Sequence, residues 1–97
     1  MVSNDTFLKA LSLKALEDVN LLKSELSRGS ILILKITPLA KKSVEETKIA
    51  VTDLSAYVRE IEGDIARLGE ERIVVTPPGI KIWREKPSIA VAAAAKG

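Results

Sequence analysis

The sequence predicts an α/β fold, a two-layer sandwich in which two helices pack on one face of a five-stranded mixed sheet. Two segments repeat apolar residues at intervals of three and four, which is the spacing of one helix face. Five short runs rich in aliphatic and β-branched residues lie between turn residues and predict strands. These segments follow the order β-α-β-α-β-β-β. Because strand–helix–strand crossovers in one sheet are right-handed, both helices are expected on the same face.

The first three predicted elements are a strand, a helix and a second strand. Residues 6–13 alternate loosely between apolar and polar, which predicts the first strand. The helix that follows has acidic residues in its first turn and stops at Gly29, a residue typical of helix C-termini. Residues 30–36 are apolar on both sides, which predicts a strand in the middle of the sheet. The apolar stripe of the helix consists of Ala15, Val19, Leu22 and Leu26.

The second helix is the longer one and follows a break at Thr37 and Pro38. Ser43 and Glu46 form a capping box at its start, and Gly63 marks its predicted end. Its apolar residues step by three and four without a miss, so one face is expected in the core. That stripe consists of Val44, Thr47, Val51, Leu54, Val58 and Ile61.

Three more strands are predicted after this helix. Residues 64–68 and 72–76 are joined by a short connection typical of a hairpin. Residues 77–79, Pro-Pro-Gly, predict a turn that leads to a last strand at residues 80–83. One sheet with helices on one side leaves its other face open to a partner or to water.

The composition indicates one domain without a reaction centre. Residues 1–5 are expected to be a disordered lead, residues 6–84 the core domain and residues 85–97 a disordered tail. The chain has no cysteine and no histidine, so disulfides are excluded and the commonest zinc ligands and general base are missing. Its net charge is only +2 with both signs interspersed, and no apolar stretch approaches the ~20 residues that span a membrane. We expect a soluble protein that is not an enzyme and has no catalytic residue, cofactor or metal.

A short motif after the long helix resembles a known family. Residues 63–69 read Gly-Asp-Ile-Ala-Arg-Leu-Gly, and residues 73–77 read Ile-Val-Val-Thr-Pro. They resemble the SepF family, whose bacterial members carry Gly-Asp-Ile-x-Arg-Ile-Gly and then an apolar strand ending in Thr-Pro. The upstream strand, proline loop and long helix follow the family's order as well. Residues 78–83 are similar to the archaeal branch, so the resemblance covers residues 6–84.

The resemblance implies a cell-division adaptor that binds the C-terminal tail of FtsZ, the tubulin-like division protein, and tethers FtsZ filaments to the membrane. Family members act as homodimers and bind the membrane through an N-terminal amphipathic helix. Nothing in residues 1–5 could form that helix, so we expect that the anchor was removed; the alternative is membrane contact through another protein. The expected location is cytoplasmic, at the division site on the inner face of the cell membrane.

The resemblance also suggests where the partners bind. The hairpin after the long helix is expected to present the groove for the FtsZ peptide. The expected groove residues are Gly63, Ile65, Arg67, Leu68, Gly69, Ile73 and Val75. Self-association is expected on the outer side of the long helix and on the last predicted strand. The residues concerned are Ile49, Ala56, Ile80, Ile82 and Trp83.

Each groove feature also has a plain structural interpretation. Gly63 and Gly69 suit a helix cap and a hairpin turn, where glycine accepts a positive φ at no steric cost. Arg67 could be solvated or pair with Glu70 or Glu71 instead of with an acidic group of a peptide. The sequence leaves both interpretations open.

The self-association residues are equally open to two interpretations. Ile49 and Ala56 lie off the core stripe, and isolated exposed apolar residues are common. Ala56 stands where bacterial members have a glycine that lets helices pack closely, which puts bacterial-style polymerisation in doubt. Trp83 could cover the end of the core or anchor an interface. The alternative function is a small RNA-binding α/β domain, disfavoured because only three scattered aromatic residues are present.

Overall fold

The structure, a computed structural model, describes residues 6–83. Within this range it confirms the α/β class with a mixed sheet, but the sheet has four strands instead of five, and there are three helices instead of two. The predicted lead at residues 1–5 and tail at residues 85–97 lie outside the described residues. In chain order the elements are β1 (Leu8–Ser12), α1 (Asp18–Ser27), β2 (Ile31–Lys35), α2 (Thr37–Lys42), α3 (Val44–Glu60), β3 (Asp64–Leu68) and β4 (Arg72–Thr76).

The sheet has the strand order β1-β2-β4-β3. β1 runs parallel to β2, as expected for a strand–helix–strand crossover, and β4 is antiparallel to both β2 and β3. β2 is a central strand, as its apolar sequence predicts. Leu32 and Leu34 are fully buried on the inner face of the sheet, while Ile31 and Ile33 are half-buried on the outer face.

The core is a single aliphatic cluster between the inner face of the sheet and the helices. Removing each of these side chains from water contributes about 1.5–3 kcal/mol, which makes the cluster the main source of stability. Val44 belongs to the predicted stripe of α3 but is 60% exposed, and Ala50 is buried instead of the predicted Val51, which is half-buried. The helices contribute Val19, Leu22, Leu26, Leu39, Ala50, Leu54 and Val58, and the sheet contributes Leu32, Leu34, Ile73 and Val75.

The helix α2 was not predicted, because Thr37 and Pro38 look like a break in the sequence. Pro38 lies in the first turn of α2, where a backbone N–H has no partner within the helix, so the N–H that proline lacks is not needed there. The fixed φ of proline also suits a helix. Leu39 is buried, which fastens this short helix to the core. Ser43 is extended, and its hydroxyl accepts a hydrogen bond from the Glu46 N–H at 3.0 Å, so this half of the predicted capping box is confirmed.

The end of α3 differs from the prediction. The helix stops at Glu60, the Glu62 N–H donates to the Arg59 carbonyl, and the Gly63 N–H donates to the Val58 carbonyl. This is a Schellman motif with Glu62, at φ 64°, in the position that glycine usually takes. Gly63 is not in the left-handed region. A methyl group on Gly63 would overlap the Thr76 carbonyl oxygen, so glycine is needed there for close approach of the backbone.

The predicted fifth strand at residues 80–83 is not a strand. Side chains hold this part of the chain in place of a strand ladder: the Asp64 carboxylate accepts a hydrogen bond from the Ile82 N–H at 2.9 Å. The Thr76 hydroxyl donates to the Ile80 carbonyl at 2.6 Å and is buried. We call residues 77–82 the return segment, since they fold back over the end of β3 and β4.

Candidate functional site

A groove runs between the helix α3 and the strand β3, which lies at one side of the sheet. We call it the α3–β3 groove; it consists of two depressions that follow one another along both elements. The first has a volume of about 330 Å³, is mostly apolar and is lined by Ile36, Ala40, Val44, Thr47, Lys48, Val51, Thr52 and Arg67. The second has a volume of about 280 Å³ and is lined by Ser55, Val58, Arg59, Gly63, Asp64 and Ile65.

The sequence of α3 explains why the groove is apolar at one end. Val44, Lys48 and Val51 recur at steps of four and three, so they share one helix face, and that face looks toward β3 instead of into the core. Val44 is 60% exposed at the first turn of the helix, where α2 and α3 meet. An exposed valine beside the half-buried Val51 offers a surface that an apolar side chain of another molecule could cover.

Three of the predicted groove residues lie at the groove. Gly63 and Ile65 line the second depression, and Arg67 lines the first. Gly69 lies beyond the end of β3 in the hairpin turn at φ 78°, which confirms its conformational role there. Leu68 is exposed on the opposite face of the sheet, because successive side chains of a strand alternate.

The two predicted groove residues on β4 are corrected by the structure. Ile73 is 3% exposed and Val75 is 0% exposed, because β4 is a central strand whose inner face is covered by helices. Ile73 is the register partner of Arg67, and Val75 is the register partner of Ile65, so both lie beside the groove residues of β3 in the sheet. A ligand in the groove therefore does not touch Ile73 or Val75.

Cationic side chains border the apolar end of the groove. The Arg67 guanidinium donates to the backbone oxygen of Glu70 at 3.4 Å and forms no ion pair with Glu70 or Glu71 among the described residues. Lys48 lies across the depression on α3. This arrangement suits a ligand that combines apolar side chains with a carboxylate.

The predicted self-association residues fall on two separate surfaces. Ile49 and Ala56 are exposed on the solvent side of α3, as their position off the core stripe predicts, and Ile49 is 54% exposed. Ile80 and Ile82 are half-buried in the return segment, and the neighbouring Trp83 is 82% exposed. The structure does not bring these two groups together.

The face of the sheet that turns away from the helices forms an apolar surface, which we call the outer sheet face. The strand register sets Ala10, Ile33, Val74 and Ala66 side by side in its middle row. Leu8 and Ile31 are partners in the row above, and Leu8 is exposed. The sequence predicts that one face of the sheet is uncovered, and we assigned no residues to that face. They could have been found from the alternation of side chains along each strand, since every second residue lies on the same face. The outer sheet face consists of Leu8, Ala10, Ile31, Ile33, Ala66, Leu68 and Val74.

Together these features define the class of the protein: a small α/β domain that offers surfaces for binding. Residues 6–83 contain no group of three or more Asp, Glu, His or Cys side chains that could hold a metal ion. The chain belongs to the SepF family, since the sequence model of the family described as cell division protein SepF matches residues 9–82. This family is known for cell division and not for enzymes. No helix in the described part of the chain is both long enough and apolar enough to cross a membrane.

Comparison with individual proteins agrees with the family. The cell division protein SepF of Haloferax volcanii is 36% identical over 70 residues, which are 72% of this chain and 58% of that protein. The chain therefore spans less than two thirds of the length of this relative.

Solved structures share the fold. SepF-like proteins from Archaeoglobus fulgidus and Pyrococcus furiosus both superpose with a TM-score of 0.75, at 29% and 26% identity, over 82% and 86% of this chain and 95% and 100% of theirs. SepF from Methanobrevibacter smithii, in complex with FtsZ-CTD, has a TM-score of 0.65 at 17% identity, over 84% of this chain and 100% of that one. At this low identity, the last comparison shows the fold alone.

Proposed function

We propose that this chain is a cell-division adaptor that binds the C-terminal tail of FtsZ in the α3–β3 groove. The observation that carries the proposal is the apolar depression bordered by Arg67, a residue of the SepF-like motif. Membership of the SepF family supports it. Further support comes from the likeness to the Methanobrevibacter protein, which is a SepF in complex with FtsZ-CTD.

The groove suits a short peptide with mixed chemistry. Val44 and Val51 cover apolar side chains of the peptide, and the depression of about 330 Å³ has room for only a few of them. Lys48 and Arg67 orient the peptide by donating hydrogen bonds to its carboxylates at the border of the depression. A contact this small is weak by itself, because binding must first offset the ordering of the peptide.

Homodimers raise the strength of this contact. The outer sheet face is apolar and is covered by no helix among the described residues, so it is the proposed surface between two copies. A dimer presents two grooves to one filament, and the second tail then binds at a high effective concentration. An N-terminal amphipathic helix supplies the contact with the inner face of the cell membrane at the division site.

A pair of matched variants tests the groove. Val44→Asp places a charge in the apolar depression, and Ile49→Asp places the same charge on the solvent side of the same helix. Both native residues are exposed to a similar extent, 60% and 54%, so neither variant disturbs the core. Affinity for a peptide with the sequence of the FtsZ tail is measured by calorimetry and by amide chemical shifts.

We expect Val44→Asp to weaken binding about tenfold or more, because an apolar contact is replaced by a charge that must be desolvated. Ile49→Asp should remain within about twofold of the original protein. A folded dimer that does not bind the tail peptide refutes the proposed function. Equal loss in both variants, or shifts confined to the outer sheet face, refutes the groove as its site.

A further inference from the structure

The strand β1 forms one edge of the sheet, and no strand pairs with its open side among residues 6–83. The Ile31 N–H of β2 donates to the Phe7 carbonyl at 2.8 Å. Since backbone groups alternate in direction along a strand, the odd-numbered residues of β1 bond β2, and the even-numbered ones direct their N–H and C=O groups to the open side. These outward residues are Leu8, Ala10 and Ser12.

The opposite edge of the sheet, formed by β3, is partly closed by the chain itself. The Asp64 carboxylate accepts hydrogen bonds from the Ile65 N–H of β3 and from the Ile82 N–H of the return segment, both at 2.9 Å. An open strand edge is a template on which another strand can form. Within the described part of the chain, β1 is therefore the edge that a further strand can extend.

Apolar side chains lie beside the β1 edge on the side of the helices. A depression of about 340 Å³ separates β1 from α1, and Leu21 of α1 lines it while remaining 58% exposed. Phe7, directly before β1, is 61% exposed. A strand added at this edge would cover such side chains as well as bond the backbone, which is the way that peptides are recognised by strand addition. The other residues that line the depression are Ala10, Leu11, Ser12, Lys14, Asp18 and Leu22.

The charges beside this edge indicate which partner fits it. A lysine on an edge strand often keeps other strands away, but the Lys9 ammonium is held 2.7 Å from the Glu25 carboxylate of α1. The Asp18 carboxylate accepts a hydrogen bond from the Lys14 N–H at 3.0 Å. Two lysines thus balance two carboxylates, and the patch has no net charge. A partner without net charge suits it, and the same edge of a second copy meets this condition.

We propose that the β1 edges of two copies pair as antiparallel strands about a two-fold axis at Ala10. The axis sets Ala10 opposite its own copy and Leu8 opposite Ser12, so the outward N–H groups of each strand meet the outward carbonyls of the other. On the side of the helices, Lys9 lies opposite Leu11, so no like charges are directly opposed. An apolar residue beside Lys9 also leaves its ion pair with α1 intact.

The pairing joins two four-stranded sheets into one continuous sheet, with both α1 helices on the same side. Leu21 of each copy then lies at the junction, where the second copy covers it. The contact uses backbone groups at the edge of the sheet and is separate from the outer sheet face. Homodimers of the proposed function could therefore join through β1 into longer chains, but the β1 pair itself does not depend on that function.

Ala10→Pro tests the backbone pairing, because the N–H that it removes points to the open side and bonds no residue of β2. The variant keeps the ladder between β1 and β2, while the proline ring obstructs a second β1. Sedimentation velocity over a range of concentrations should show that the association constant falls at least about tenfold. Amide hydrogen exchange at high concentration should be at least about tenfold faster at Leu8 and Ser12 in the variant, whereas Leu11, which bonds β2, stays protected.

Leu21→Asp tests the same contact without a change in the backbone, and it serves alone if Ala10→Pro does not fold. Its matched control is Ile49→Asp on α3, since the two native side chains are 58% and 54% exposed. Leu21→Asp should weaken association at least about tenfold, and Ile49→Asp should stay within about twofold of the original protein. Circular dichroism and thermal midpoints show which variants are folded.

The proposal is overturned if either folded variant associates as strongly as the original protein, or if Ile49→Asp weakens association as much as Leu21→Asp. It is also overturned if Leu8 and Ser12 lose protection in Ala10→Pro while the mass is unchanged, because a segment of the same chain then covers the edge. Binding of the FtsZ tail peptide in the α3–β3 groove is measured separately. A failure of that binding is therefore distinguishable from a failure of the β1 pair.

Discussion

Glu62 occupies a backbone conformation that favours glycine, and replacing it should stabilise the protein. A left-handed conformation costs an ordinary L-residue about 1–2 kcal/mol. Glycine avoids this cost but loses more chain entropy on folding, which offsets about 0.4–1 kcal/mol. Glu62→Gly should therefore raise the free energy of unfolding by about 0.5–1 kcal/mol. The end of α1 supports this reasoning, since it has the same pair of hydrogen bonds with Gly29 at φ 95° in the equivalent position.

The assay is the unfolding midpoint in urea and on heating, with Glu60→Gly as the matched control. Glu62→Gly should raise the thermal midpoint by about 2–8 °C for a domain of this size. Glu60 is the same residue type, exposed like Glu62, but lies in the last turn of α3 with helical geometry. Glu60→Gly should therefore destabilise by about 0.5–1 kcal/mol. If Glu62→Gly is destabilising to the same extent as Glu60→Gly, the backbone conformation of Glu62 is not the source of strain.

For two further substitutions the structure predicts the direction of the change, in stability for one and in a pKa for the other. Gly63→Ala should lower the free energy of unfolding by about 1–3 kcal/mol, because the added methyl group would push against the Thr76 carbonyl oxygen. The measurement is the urea midpoint, which should fall. An unchanged midpoint would contradict the close approach of the backbone at Gly63. Lys9→Met should raise the pKa of Glu25, measured by NMR titration. The hydrogen bond from the Lys9 ammonium, 2.7 Å away, is the main cause that holds the pKa of Glu25 below its ordinary value of 4.5. Because the pKa of Glu25 is lowered on folding, the ion pair of Lys9 and Glu25 stabilises the protein above pH 4.5. This contribution is lost as the pH falls through the folded pKa. If the pKa of Glu25 is the same in Lys9→Met, Lys9 is not the cause of the lowered pKa.

Hydrophobic patterning was sufficient for most of the fold. The alternation of Leu32 and Leu34 with Ile31 and Ile33 predicts a strand that is apolar on both sides, and the structure places it in the middle of the sheet. The short helix α2 could not be found in this way, because six residues are too few to show a helical period. Pro38 looked like a break but is compatible with the first turn of a helix.

The end of the domain was harder to predict because it depends on contacts between residues far apart in sequence. Residues 80–83 have the composition of a strand, but the structure gives them no strand partner among residues 6–83. Their position is set instead by Asp64 and Thr76, and no local pattern shows that these side chains meet. The same applies to the groove: the unpredicted α2 helps to line its apolar end through Ala40, and without α2 the sequence pattern of α3 places Val44 in the core.

The SepF-like motif therefore acts mainly through geometry. Gly63 allows β3 to approach β4 closely, and the Thr76 hydroxyl accepts a hydrogen bond from the Asp64 N–H at 2.8 Å while it donates to the return segment. Asp64 fixes the same segment from β3. Arg67 is the one motif residue with a charged group at the apolar depression. A motif built in this way fixes the relative position of the α3–β3 groove and the outer sheet face, because both surfaces are bordered by β3. The proposed function uses one of these surfaces for a filament tail and the other for a second copy, and the hydrogen bonds of Asp64 and Thr76 fix the end of the strand that borders both.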